Sequence, residues 1–130
     1  MPAPVYILIV DDDPMILDLM TATLESAGYR VTTATDAWQE VVQAQGLKIG
    51  LVISDIQMPG VGTGVDAVKH LRSLPTISPL LPVIFMTGLS LERAREMIPK
   101  DPKIRLIGKP LNFEELRVAI RELTGIDRPL

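Results

Sequence analysis

The sequence predicts an α/β domain, one parallel sheet of five strands alternating with five helices that cover both of its faces. Three observations carry this reading. Strand-like and helix-like patterns alternate from end to end. The first strand-like run, residues 5–10, is apolar throughout with no polar alternation, as in a strand covered on both faces. Three of the runs end in charge: Asp11-Asp12-Asp13, Asp55 and Lys109-Pro110. The carboxyl ends of strands are where open α/β sheets place their chemistry.

The elements follow in order. After the strand at 5–10, Asp13 is a natural N-cap and Pro14 a natural first-turn residue. Leu17, Met20, Leu24 and Ala27 recur at helical spacing, and Gly28 stops the helix. Residues 30–34 form a short β-branched strand, and Trp38, Val41 and Val42 mark a second helix ended by Gly46. Leu51-Val52-Ile53-Ser54 is a buried strand that Asp55 closes, bounded by the turn Ile56-Gln57-Met58-Pro59-Gly60. Past the glycine-rich loop at 60–64, Ala67, Val68, Leu71 and Leu74 give a third helical face. The fourth strand is 82–86. Leu91, Ala94 and Ile98 make a short helix cut off by Pro99 and Pro102. The fifth strand is 104–107. Asn112 and Glu115 pair as a capping box, and Leu116, Ala119, Ile120 and Leu123 line a last helix closed by Gly125.

Composition narrows the classes. At 130 residues the chain suits one domain with a real core. A net charge of −3 argues against a nucleic-acid surface, and 4% aromatics leave little for base stacking. The absence of cysteine removes disulfides, zinc-thiolate sites and thiol chemistry, and fits a cytoplasmic protein. The start has no signal-peptide pattern, and no apolar run is long enough for membrane insertion.

Each candidate residue also has an ordinary explanation. Aspartates before a helix cap its amides, and Asp13 satisfies that role; Asp11 and Asp12 are then surplus carboxylates beside a buried strand. Like charges so close disfavour each other unless a cation sits between them, and hard divalent Mg²⁺ suits such oxygens. Asp55 could be turn chemistry, but a carboxylate ending a buried strand calls for a partner, and it can attack phosphorus to form an acyl phosphate. Lys109 could be a solvated lysine; its place between a buried strand and Pro110 favours an inward role, offsetting phosphoryl charge. Thr87, alone, would be a strand former; beside these groups its hydroxyl can donate to a phosphoryl oxygen, with Gly88 leaving room. His70, the only histidine, falls on a polar helix side and reads as surface.

At Val10-Asp11-Asp12, Asp55-Ile56-Gln57-Met58-Pro59-Gly60, Met86-Thr87-Gly88 and Lys109-Pro110 the chain resembles a response-regulator receiver domain of two-component signalling, over nearly all its length. The resemblance implies a doubly wound, flavodoxin-like sheet of order 2-1-3-4-5 and a receiver over 1–125; the tail over 126–130, after Gly125, is expected to be short and loose because it ends the chain. The resemblance also implies that Asp55 is the phosphoacceptor, with Thr87 and Lys109 contacting the phosphoryl group. Mg²⁺ would be held by Asp11, Asp12, Asp55 and the backbone carbonyl of Gln57. The donor would be a phosphohistidine of a histidine kinase or phosphotransfer protein. Gln57 and Leu89 occupy positions that, in such domains, tune the rate of self-dephosphorylation. The function implied is a phosphorylation-driven switch with its output surface near the fourth and fifth helices, and not a dedicated enzyme. Since no effector domain fits in this chain, output would pass to a downstream protein partner, a further phosphorelay member or a fused domain.

Three departures stand out. Leu106 replaces the aromatic that such domains often carry three residues before the lysine. The loop Val61-Gly62-Thr63-Gly64 is slightly long, and the fourth helix is short and proline-bounded. Two other readings compete: an aspartate-nucleophile phosphohydrolase, which would want a second acid where Gln57 stands, and a degenerate receiver acting only as a binding module.

Overall fold

The structure, a computed structural model, describes residues 5–36, 39, 46–57 and 64–130. Five strands, β1 (Tyr6–Val10), β2 (Arg30–Ala34), β3 (Ile49–Asp55), β4 (Val83–Thr87) and β5 (Ile104–Gly108), form one sheet in the order β2-β1-β3-β4-β5. Every neighbouring pair is parallel. The described helices are α1 (Pro14–Ser26), α2 (Gly64–Arg72), α3 (Leu91–Met97) and α4 (Phe113–Thr124). The helix expected around Trp38, Val41 and Val42 lies outside the described residues, as do the turn residues Met58 to Gly60 and most of the loop that follows.

Helices end where local chemistry ends them. Asp13 caps α1 by accepting from the Met15 N–H at 2.9 Å, with Pro14 at the first position. Asn112 caps α4 by accepting from the N–H groups of Glu114 (2.9 Å) and Glu115 (3.1 Å). Gly28 and Gly125 take positive φ (94° and 77°) and close α1 and α4. The α3 helix stops at Met97, one residue earlier than expected. Ile98 precedes Pro99, which disfavours helical backbone there, and it is extended.

The strands alternate their side chains between two apolar layers. Ile7, Ile9, Ile53, Ile84 and Met86 pack with Leu17, Met20 and Leu24 of α1 and Leu116 and Ile120 of α4. On the opposite face Leu8, Val10, Val52, Val83 and Phe85 pack with Val68 and Leu71 of α2 and Ala94 of α3. Both layers being apolar is why the strand sequences are unbroken hydrophobic runs.

Residues of the tail contact the rest of the domain. Leu130 packs against the α1–α4 layer, Asp127 pairs with Arg117 at 3.1 Å, and Arg128 donates to the Ala27 carbonyl. The Arg128 guanidinium also lies 5.2 Å from the Tyr29 ring centre. Among the described residues no helix is long and apolar enough to cross a membrane.

Candidate functional site

Because all strands run the same way, their carboxyl ends emerge on one rim. The strand order reverses between β1 and β3, the position where such sheets open a crevice. Asp55 is the last residue of β3, and Asp11 follows directly on β1. The Asp11 N–H donates to the Ala34 carbonyl at the end of β2, which fixes its backbone to the sheet (3.1 Å). Thr87 ends β4, and Lys109 follows β5 with its N–H on the Thr87 carbonyl at 2.7 Å.

The side chains converge. Carboxylate oxygens of Asp11, Asp12 and Asp55 lie within 4.8 Å of one another. Asp11 is fully buried and Asp55 7% exposed, whereas Asp12 faces solvent. The Lys109 ammonium donates to Asp11 Oδ2 at 2.8 Å and to Asp55 Oδ2 at 3.2 Å. The Lys109-Pro110 bond is cis. The remaining oxygens take backbone partners: Asp11 Oδ1 accepts from the Asp13 N–H (2.9 Å), and Asp55 Oδ1 from the Gln57 N–H (3.2 Å). Thr87, 1% exposed, accepts from the Leu89 N–H at 2.9 Å, which leaves its own hydroxyl proton to be donated.

Electrostatics follow from this packing. Burial pushes the Asp55 carboxyl above its ordinary range, against the pull of the Gln57 N–H and the Lys109 charge. Desolvation lowers Lys109, but hydrogen bonds and charge from Asp11 and Asp55 outweigh it and hold the ammonium above the ordinary lysine value. Three carboxylates against one ammonium leave the rim net anionic. An all-oxygen donor set with surplus negative charge is the kind that a hard divalent cation such as Mg²⁺ takes.

Two features have no counterpart in the sequence reading. Gly64, at the start of α2, donates to the Ile56 carbonyl at 2.7 Å, and a Cβ there would run into the Asp55 carbonyl. The glycine is thus a close-approach residue that lets α2 begin against the end of β3. Ser54 is fully buried and donates to the Asp55 carbonyl at 3.0 Å. A lone glycine in a glycine-rich loop and a serine in a strand gave no sequence signal for either contact. His70 is exposed on α2, away from these groups in the chain.

Comparison with known proteins gives a consistent result. The family model for the response regulator receiver domain matches residues 7–121. Among solved structures, the chemotaxis protein CheY4 of Vibrio cholerae is 30% identical with a TM-score of 0.78, covering 93% of this chain and 99% of that one. A CheY-like receiver domain protein from Methanospirillum hungatei is also 30% identical, with a TM-score of 0.77 over 92% and 93% of the two chains. Among curated proteins, the transcriptional regulatory protein ZraR of Klebsiella oxytoca is 32% identical over 91% of this chain and 26% of its own length. The probable transcriptional regulatory protein TcrX of Mycobacterium tuberculosis is 29% identical over 95% of this chain and 52% of its length. The chain therefore spans about a quarter to a half of these curated relatives.

Proposed function

This chain belongs to the response regulator receiver domain family, and on that premise we propose that Asp55 accepts a phosphoryl group from a phosphohistidine of a histidine kinase or phosphotransfer protein. Domains of this family are signalling switches and not dedicated enzymes. The observation that carries the proposal is the convergence of Asp11, Asp12, Asp55 and Lys109, from three strand ends, on one small volume.

In the proposed reaction an Asp55 carboxylate oxygen attacks phosphorus, and the phosphorus–nitrogen bond of the donor breaks. The imidazole nitrogen keeps the bonding pair and takes up a proton from solvent. Asp11 and Asp12, with Asp55 and the Gln57 carbonyl, would hold Mg²⁺, which when bound supplies positive charge for the phosphoryl oxygens. Lys109 already touches Asp55, so its ammonium can turn to the new phosphoryl oxygens. The free hydroxyl proton of Thr87 is offered from the end of β4.

The same contacts account for switching. Phosphorylation adds charge and strong acceptors, so Thr87 and Lys109 are drawn toward Asp55. Their strand ends are joined by the Lys109 N–H to Thr87 carbonyl bond, and α3 begins shortly after Thr87. Displacement there shifts a two-state surface of α3, β5 and α4, which correspond to the fourth and fifth helices expected from the sequence and the strand between them. Leu106, packed partly buried opposite Phe85, provides no aromatic ring to swing inward; the backbone bond between Lys109 and Thr87 is the link this proposal uses instead. Output goes to a partner protein or to a fused segment; the transcriptional regulatory relatives have longer chains than this one.

The test is direct. Acetyl phosphate with Mg²⁺ should add one phosphoryl group by intact mass; Asp55→Asn and EDTA should each abolish the gain. Labelling of Asp55→Asn to the wild-type level would show the acceptor is elsewhere.

A further inference from the structure

We propose that a cavity on the α2–α3 face, away from the acidic rim, binds a small amphipathic carboxylate, an aromatic or branched apolar body carrying one acid group. The cavity measures about 500 Å³, within the range of roughly 300–1,000 Å³ typical of small-molecule sites. One wall is a single face of α2, where Val65, Val68, Lys69 and Arg72 fall at helical spacing. Phe85 of β4 lies beneath, fully buried, and the opposite wall is the end of α3 and the extended segment after it, Met97 and Ile98. Ile98 is extended because it precedes Pro99, and Pro99 itself joins the lining.

Val65, Val68, Met97, Ile98, Pro99 and Ile104 make up most of the lining, which sets the ligand's body as apolar. The four charged lining residues, Asp66, Lys69, Arg72 and Asp101, set the head group. Arg72 is spent: its Nε and Nη2 donate to the Leu81 carbonyl and its Nη1 pairs with Asp101 at 2.7 Å. Asp101 is neutralised by that pair, and Asp66 has an interaction of its own. Lys69 makes no ion pair among the described residues and stands at the mouth as the available cation. An apolar body in the cavity with its acid group toward solvent would meet that ammonium.

Titration of the ¹⁵N-labelled chain with 4-phenylbutyrate, 4-phenylbutanol and 4-phenylbutylamine tests this by amide shifts. The expected result is saturable shifts centred on Val65, Lys69 and Ile98 with a Kd on the order of 1 mM for the carboxylate. The carboxylate should bind about threefold tighter than the alcohol, the size of an exposed ion pair, and the amine weakest. Lys69→Met should erase the preference while the alcohol still binds. Met97→Trp, at a position 38% exposed, should fill the space and abolish all three shifts. No saturable shift with any probe, or shifts centred elsewhere, overturns the site. The amine binding as tightly as the carboxylate overturns the acid class.

Discussion

The Lys109 ammonium stands 2.8 Å from Asp11 and 3.2 Å from Asp55, so its removal leaves two buried carboxylates facing each other without a counter-charge. The group is partly exposed (21%), which lets water soften the loss. Lys109→Ala should therefore cost about 1–3 kcal/mol of stability in urea melts without divalent ion. Mg²⁺ should raise the melting temperature of this variant more than that of wild type, since a cation then replaces the missing charge. With acetyl phosphate the variant should still label in part at Asp55. The amides of α3 and α4 that shift in phosphorylated wild type should stay in place, because the side chain that draws the β5 end toward the acceptor is gone. Shifts there matching wild type would separate Lys109 from the switch.

At the scale of elements, the site depends on how closely α2 starts against β3. The Gly64 N–H reaches the Ile56 carbonyl, and a Cβ at Gly64 would overlap the Asp55 carbonyl and sit 3.1 Å from Ser54 Oγ. Backbone cannot swing aside as a side chain can, so Gly64→Ala must push α2 away or bend the end of β3. The expected cost is about 1–3 kcal/mol in urea melts, with a lower rate of labelling by acetyl phosphate as Asp55 is displaced. Gly46→Ala is the control, since a Cβ there meets nothing within 4 Å; it should be neutral or slightly stabilising. Equal stability of the two variants would mean α2 has freedom to shift at no cost. This contact was not legible in the sequence. The caps of α1 and α4 were, because Asp13, Asn112, Gly28 and Gly125 act on backbone within a few residues of themselves. Gly64 acts on a strand end nine residues away.

For the whole molecule, legibility divides on the same line between local and distant chemistry. Two apolar layers force unbroken hydrophobic strands, so β1, β3, β4 and β5 and the rim residues at their ends could be placed from the sequence. The docking of the tail could not, since Arg128 reaches Ala27 and Tyr29 across nearly the full chain. Nor could the tie that joins α2 to the segment before β5: Arg72 pairs with Asp101 at 2.7 Å while also holding the Leu81 carbonyl ahead of β4. Asp101 in turn accepts from the Lys103 N–H at 2.7 Å, and this bond, with the Arg72 charge, holds its carboxyl below its ordinary value despite partial desolvation. A carboxyl held low binds protons less readily in the folded chain than in the unfolded one. Its contribution is complete above the unfolded value of 3.8 and is lost as pH falls from there through the folded value. Asp101→Asn keeps an oxygen for Lys103 but loses the anion for Arg72. Its melting temperature should lie about 3 °C below wild type at pH 7, and the gap should close as the pH is taken down through 3.8. Thermal melts from pH 7 down to about 3 follow both curves. A gap that stays constant across that range would mean the acid's charge contributes nothing, and that Arg72 holds α2 through Leu81 alone.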